Sequence, residues 1–234
     1  MTTDFEPFFK QYEELLSMAD GVFEKIQTEY PEGVKCKVRC ADCCYALFDL
    51  SLIEAMYINH HFNKNFQGEE REKLVEKSNR IDREIHKIKR KAYKALEAGK
   101  EEGEILEDMA ALRVRCPLLN DEEKCDLYEH RPATCRFYGL PTSIGGAGYT
   151  CGLSGFVKGK EYPTVNLDII QKRLHDLTKA FVVAIQSRHY KMVDLLVPVS
   201  MALLTDYDET YLGIEDEEKD DAGPEAESKG DANE

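Results

Sequence analysis

The sequence predicts a mainly α fold whose helices pack around cysteine-rich loops. Three observations predict it: long stretches carry apolar residues at helical spacing, turn residues are confined to the connections, and eight cysteines gather in short windows. At 234 residues the chain can bury one good-sized core, so a single domain over residues 1–205 is expected.

The first element runs from Asp4 to about Thr28, where Phe5, Phe8, Phe9, Tyr12, Leu15, Leu16, Ala19, Val22, Phe23 and Ile26 follow a helical period. Pro31 and Gly33 end it. Ser51 with Glu54 three residues on forms a capping box, which predicts a second helix over SLIEAMYINHHF. From Gly68 to about Ala98 the chain is heavily charged, yet Leu74, Ile81, Ile88 and Ala95 recur every seven residues beside Ser78, Ile85 and Ala92. That is a long helix with a narrow apolar stripe, expected to lie on its own protein's core. It belongs to a charged helical insertion over about residues 66–112, broken at Gly99–Gly103 before a shorter helix around Ile105–Leu112. CPLLNDEEKCDLYE reads as a small β-hairpin within residues 116–128, turning at Asn120-Asp121. The run GGAG at 145–148 lacks the Lys-Ser/Thr of a phosphate loop and is expected to be a flexible loop. Asn166 can cap a helix carrying Leu167, Ile170, Leu174, Leu177, Phe181 and Ile185. A last helix is expected near Val193–Leu204, kinked by Pro198.

The formal net charge of −14 belongs mainly to one end. From Asp206 to Glu234 thirteen Asp and Glu stand against Lys219 and Lys229, a net −11, which leaves −3 for residues 1–205. Residues 206–234 are therefore expected to form a disordered acidic tail. An acidic chain repels phosphates, which speaks against nucleic acid as a partner. A protein partner recruited by the long charged helix or by the acidic tail is the open expectation. No apolar run reaches the roughly 20 residues a bilayer span needs, so no membrane is expected. The opening MTTDFEPFF lacks the basic and apolar regions of a signal peptide, so the cytoplasm is the expected location.

A reducing cytoplasm decides how the cysteines are read, because there clustered thiols favour metal ligation over disulfides. Cys36, Cys40, Cys43 and Cys44 stand in CKVRCADCC; Cys116, Cys125, Cys135 and Cys151 follow, and no cysteine lies elsewhere. Thiolates at spacings of two and three let one loop wrap a metal while a distant group closes the shell. The expected cofactor is zinc or an iron–sulfur cluster, 4Fe–4S if iron. Lys35, Lys37, Arg39, Arg113, Arg115, Lys124 and Arg136 accompany the thiols and suit an anionic centre. Arg131 and Arg136, flanking Cys135 in HRPATCR, are the candidate cofactor-binding cations. His130 is a lesser candidate ligand. No catalytic residue stands out.

The triplet Cys36-x3-Cys40-x2-Cys43 has the spacing of the radical S-adenosylmethionine enzymes. Asp42 replaces that family's usual aromatic residue, Cys44 follows directly, and the alternating strands and helices of its barrel are missing. Taken whole, C-x3-C-x2-C-C, then CPLL, then CDLYEHRPATCR resembles the YkgJ-type cysteine-cluster family of zinc- or iron-chelating proteins. The resemblance covers roughly residues 34–152 and rests on Cys36, Cys40, Cys43, Cys44, Cys116, Cys125 and Cys135 with Arg131, Pro132 and Arg136, Cys151 standing as a late ligand. It implies metal binding and leaves the reaction open; redox or sensing work at the metal is the expectation set beside it. A related module occurs in flagellin lysine N-methylases, which implies a cluster-dependent, protein-modifying methyltransferase as the enzymatic alternative. An adaptor with a metal-stabilised fold is the third reading.

Overall fold

The computed structural model describes residues 4–214. Of the periodic residues of the first segment, helix α1 (Glu6–Glu29) buries Phe9, Tyr12, Leu15, Leu16, Ala19 and Ile26, while Phe5, Phe8, Val22 and Phe23 pack on the same core partly buried. Pro7 sits in its first turn, where a missing N–H costs nothing. Helix α2 (Leu52–Asn65) starts where the Ser51/Glu54 box predicts: the Ser51 backbone N–H and hydroxyl both donate to Glu54 Oε2, at 3.1 and 2.9 Å. Every residue of α2 from Leu52 to Asn59 is buried, as is Phe62, so this is the central helix of the molecule.

Two apolar clusters meet on α2. On one side Phe9, Tyr12 and Leu16 of α1 pack with Ile53 of α2, Phe137 of helix α5 (Ala133–Phe137), and Leu174 and Phe181 of helix α6 (Leu167–Ala184). On the other, Ile58 and Phe62 of α2 meet Leu74 of helix α3 (Gly68–Glu97), Leu118, and Leu203 of helix α7 (Val199–Leu204). A smaller group of Ile81, Ile85 and Val114 continues the second cluster along α3. The seven-residue stripe therefore lies on the protein's own core as far as Ile88; beyond it Tyr93 and Leu96 are 61% and 50% exposed. Gly99, at φ 88°, then turns the chain into helix α4 (Glu102–Ala110), which returns alongside α3.

Short strands tie the helices. Strand β1 (Asp49–Ser51) pairs antiparallel with β5 (Leu196–Pro198), Leu50 opposite Val197. This corrects the expectation of one kinked helix over Val193–Leu204: a 3₁₀ turn over Tyr190–Asp194 leads into β5, and α7 begins only at Val199. Pro198 holds Val197 extended and has no N–H to continue a helix, so it caps α7 rather than bending it. The GGAG run is likewise a tight hairpin and not a loose loop. Strands β2 (Thr142–Ile144) and β3 (Ala147–Tyr149) are joined by Gly145 and Gly146 at φ 55° and 81°, the two left-handed residues of a type I′ turn. Strand β4 (Val165–Asn166) adds to β2 in parallel and delivers Asn166, whose side chain accepts from the Asp168 and Ile169 N–H groups to cap α6. The hairpin expected within 116–128 reduces to a single antiparallel bridge between Leu119 and Cys125.

The acidic segment expected to be disordered from 206 onward begins as packed structure. Helix α8 (Glu209–Leu212) is capped by the Asp208 carboxylate, Leu212 is fully buried, and Tyr207, Tyr211 and Ile214 pack on the core. The rest of that expectation, residues 215–234, lies outside the described residues. Among the described residues no helix is long and apolar enough to cross a membrane.

Candidate metal centre

The first cysteine group occupies the connection between α1 and β1. Tyr30 ends α1 with its N–H on the Ile26 carbonyl, and the loop beyond carries Cys36 and Cys40. A 3₁₀ turn over Asp42–Tyr45 then presents Cys43 and Cys44. The second group comes to it by direct backbone pairing: Cys116 N–H donates to the Cys44 carbonyl at 2.7 Å, and Val114 N–H to that of Tyr45 at 3.0 Å. Asn120 shapes the following turn, its side-chain oxygen accepting from the Glu122 and Lys124 N–H groups, and so aims Cys125. Cys135 sits on α5, whose Ala133 N–H donates to the buried Glu54 carboxylate at 3.3 Å. Cys151 follows the β2–β3 hairpin. Its segment is drawn onto the first loop by the Gly155 N–H, 2.8 Å from the Gly33 carbonyl. A Cβ at Gly155 would stand 1.9 Å from the Glu32 carbonyl oxygen, so only glycine permits this approach.

All eight cysteines are free thiols, each half-buried. Seven of them (Cys36, Cys40, Cys43, Cys44, Cys125, Cys135 and Cys151) line one open cavity of about 450 Å³. Cys116 instead lines a smaller adjoining space of about 40 Å³, with Cys43, Cys44, Cys125 and Cys135. Burial pushes Cys36 and Cys116 up to about 12 and Cys125 to about 11, and neighbouring thiols add to the rise in each. Cys43 moves the other way, because interaction with the neighbouring Cys135 and Cys44 thiols favours its thiolate. Among the described residues no group of three or more His, Cys, Asp or Glu side chains is placed to hold a metal ion.

Of the two candidate cations, Arg136 is spent within the fold: it pairs with Asp20 and donates to the carbonyls of Arg131 (3.1 Å) and Glu129 (2.5 Å). Arg131 is differently placed. It lines both spaces, lies over the Tyr128 ring at 4.0 Å, and keeps its Nε buried without a partner. Its charge favours the thiolate forms of Cys36, Cys43 and Cys125. Lys37, Arg39 and Lys124 also line the open cavity. Arg113 pairs with Asp42 at 2.5 Å and Arg115 donates to the Tyr45 hydroxyl at 2.8 Å. His130 is elsewhere: its ring stacks on His61 at 3.5 Å and its Nδ1 is 3.2 Å from the Tyr57 hydroxyl.

Sequence reasoning passed over three side chains that organise the site. Asp42 accepts from the Cys151 thiol (3.3 Å), the Tyr138 hydroxyl (2.9 Å) and Arg113. Asp20, on α1, receives Arg136 and stands 3.9 Å from Arg131. Lys77, on α3, donates to the Leu119 carbonyl beneath the second group. Only Asp42, set within the cysteine run, carried a local signal.

The model of the CxxCxxCC family, described as a putative zinc- or iron-chelating domain, matches residues 35–152, half of the chain with all eight cysteines. The chain belongs to the CxxCxxCC family. No curated protein and no solved structure matches it. Membership makes this a metal-binding domain, and the CxxCxxCC run shows one departure from the pattern of its name: three residues, not two, separate Cys36 from Cys40. Arg39 absorbs the extra residue in a left-handed conformation, φ 70°. The donor set fits the group the family implies. Soft thiols crowd one place and cations, Arg131 among them, line the same cavity.

Proposed function

We propose that the eight cysteines of this CxxCxxCC domain are its metal ligands, holding zinc or an iron–sulfur cluster at a centre open to solvent, for redox or sensing work. The convergence of eight free thiols from loops up to 115 residues apart in sequence onto adjoining spaces carries the reading. A purely structural site needs only four thiolates in a closed tetrahedron. Here thiols face a cavity reached from outside, where a bound metal is exposed to small reactants. Zinc bound there would supply a Lewis acid, and a 4Fe–4S cluster a one-electron couple. The chain's own residues position the thiols, balance their charge through Arg131, and hold Cys151 on Asp42. Thiols kept free for metal suit a reducing compartment, which supports the cytoplasm as the location.

The test is metal content after anaerobic purification of wild type, Cys40→Ser and Cys135→Ser. The reading expects stoichiometric metal in the wild type and loss in both variants. Variants that keep the wild-type content would remove these cysteines from the ligand set.

A further inference from the structure

Helix α3 carries its charge unevenly. Arg80, Arg83, Lys87, Arg90, Lys91 and Lys94 recur every three or four residues on its exposed face, away from the Ile81, Ile85 and Ile88 stripe that lies on the core. At the helical rise they form a row ~21 Å long. The only acids in that stretch are Asp82, which accepts from the Ser200 hydroxyl at 3.1 Å, and Glu84. Among the described residues none of the six cations has an ion-pair partner. Cations around the cysteines are matched by contrast: Lys35 pairs with Glu32, Arg113 with Asp42, Arg115 with Glu123 and Lys124 with Glu122. Arg83 with Lys87, Lys87 with Lys91, and Arg90 with Lys94 are like charges four residues apart, which destabilise a helix unless an acidic group lies over them.

We infer that residues 215–234 of the same chain dock on this face of α3, their carboxylates against its row of cations. Charge complementarity points to that occupant. Residues 215–234 hold ten Asp and Glu against Lys219 and Lys229, whereas Arg80–Lys94 is a basic stretch in a chain of net charge −14. Length permits the contact. The Arg188 N–H donates to the Gly213 carbonyl at 3.0 Å, Pro198 stands opposite Asp49, and Asp49 pairs with Lys89 of α3 at 2.6 Å. The ten steps from Arg188 to Pro198 span at most ~36 Å, and the segment beyond Ile214, twice as long, reaches up to ~70 Å. Each exposed ion pair is weak. A segment tethered to its own target is nevertheless present there at about millimolar effective concentration, so several weak pairs together hold it. The acidic segment and the basic helix thus mask each other, and any other acidic surface reaches α3 only by displacing residues 215–234.

The test treats a dilute mixture of unlabelled and isotope-labelled full chains with a carbodiimide, which joins a lysine amine to a carboxylate in contact with it, and maps the joined peptides by mass spectrometry. At low salt the docking predicts links from Lys87, Lys91 or Lys94 to the Asp and Glu of residues 215–234, formed within single chains. The double variant Arg83→Glu/Arg90→Glu leaves those lysines in place and should lower the yield about fivefold by removing and reversing exposed ion pairs. Both positions are exposed, and salt at about 1 M, which screens charges beyond ~3 Å, should lower the yield in the wild type without any substitution. Links that join labelled to unlabelled chains would assign the face to a second copy and overturn the inference. So would yields at Lys37 or Lys124 equal to those on α3, yields unmoved by salt, or no link between α3 and residues 215–234.

Discussion

Glu54 is a carboxyl group sealed in the core whose two oxygens receive four donors: the Ser51 N–H and hydroxyl, the Tyr12 hydroxyl at 3.1 Å, and the Ala133 N–H. It joins α1, the start of α2 and the helix that carries Cys135. Glu54→Ala leaves the Tyr12 hydroxyl and the Ala133 N–H buried without acceptors, and should cost about 2–4 kcal/mol in urea unfolding. Half of this cluster was legible in the sequence. Ser51 and Glu54 are three residues apart and announce a cap, whereas Tyr12 and Ala133 lie 42 and 79 positions away and only packing brings them in. His61 offers a second test at this scale. Burial, then the His130 and His60 charges, lower it to about 4, and burial lowers the stacked His130 as well. The unfolded chain, with His near 6.5, binds protons first, so the stability present above about pH 6.5 is lost as pH falls toward 4. Unfolding curves across that range should flatten in His61→Gln.

At the scale of elements, α3 separates covered from uncovered stripe. Ile85→Ala opens a cavity under the helix and should cost about 2–4 kcal/mol, whereas Leu96→Ser, on the half-exposed tip, should stay within about 0.5 kcal/mol. Thermal unfolding of the two variants checks both. The seven-residue repeat announced the helix but not the place where its cover ends, because that depends on how far α7 and Val114 extend. The two misread connections have the same origin. Gly145-Gly146 was compared with phosphate loops, although two left-handed residues between short strands are hairpin chemistry. Pro198 was placed inside a helix, and the β1 partner that makes residues 196–198 a strand lies near residue 50, beyond any local pattern.

At the scale of the whole molecule, metal and fold are coupled. The thiols come from the α1–β1 connection, the turn after α4, α5 and the segment after β3, so ligation of the unfolded chain would have to close every loop between them. Binding that favours the folded state adds to its stability. Cys135→Ser, in the helix anchored by Glu54, should therefore lose metal and lower the unfolding temperature, and a chelator should lower that of the wild type. The cysteines, their cations and the family resemblance could all be read from the sequence, since clustering and spacing are local. The assignment of each thiol to a space, and the roles of Asp20 and Asp42, depend on contacts across more than 90 residues. The most direct test of the central claim is metal and acid-labile sulfide analysis, with an absorbance spectrum, on anaerobically purified protein. The account predicts bound metal: brown protein with sulfide if the centre is iron–sulfur, colourless protein with zinc if it is not. Protein purified without any metal, aerobically and anaerobically, would contradict it.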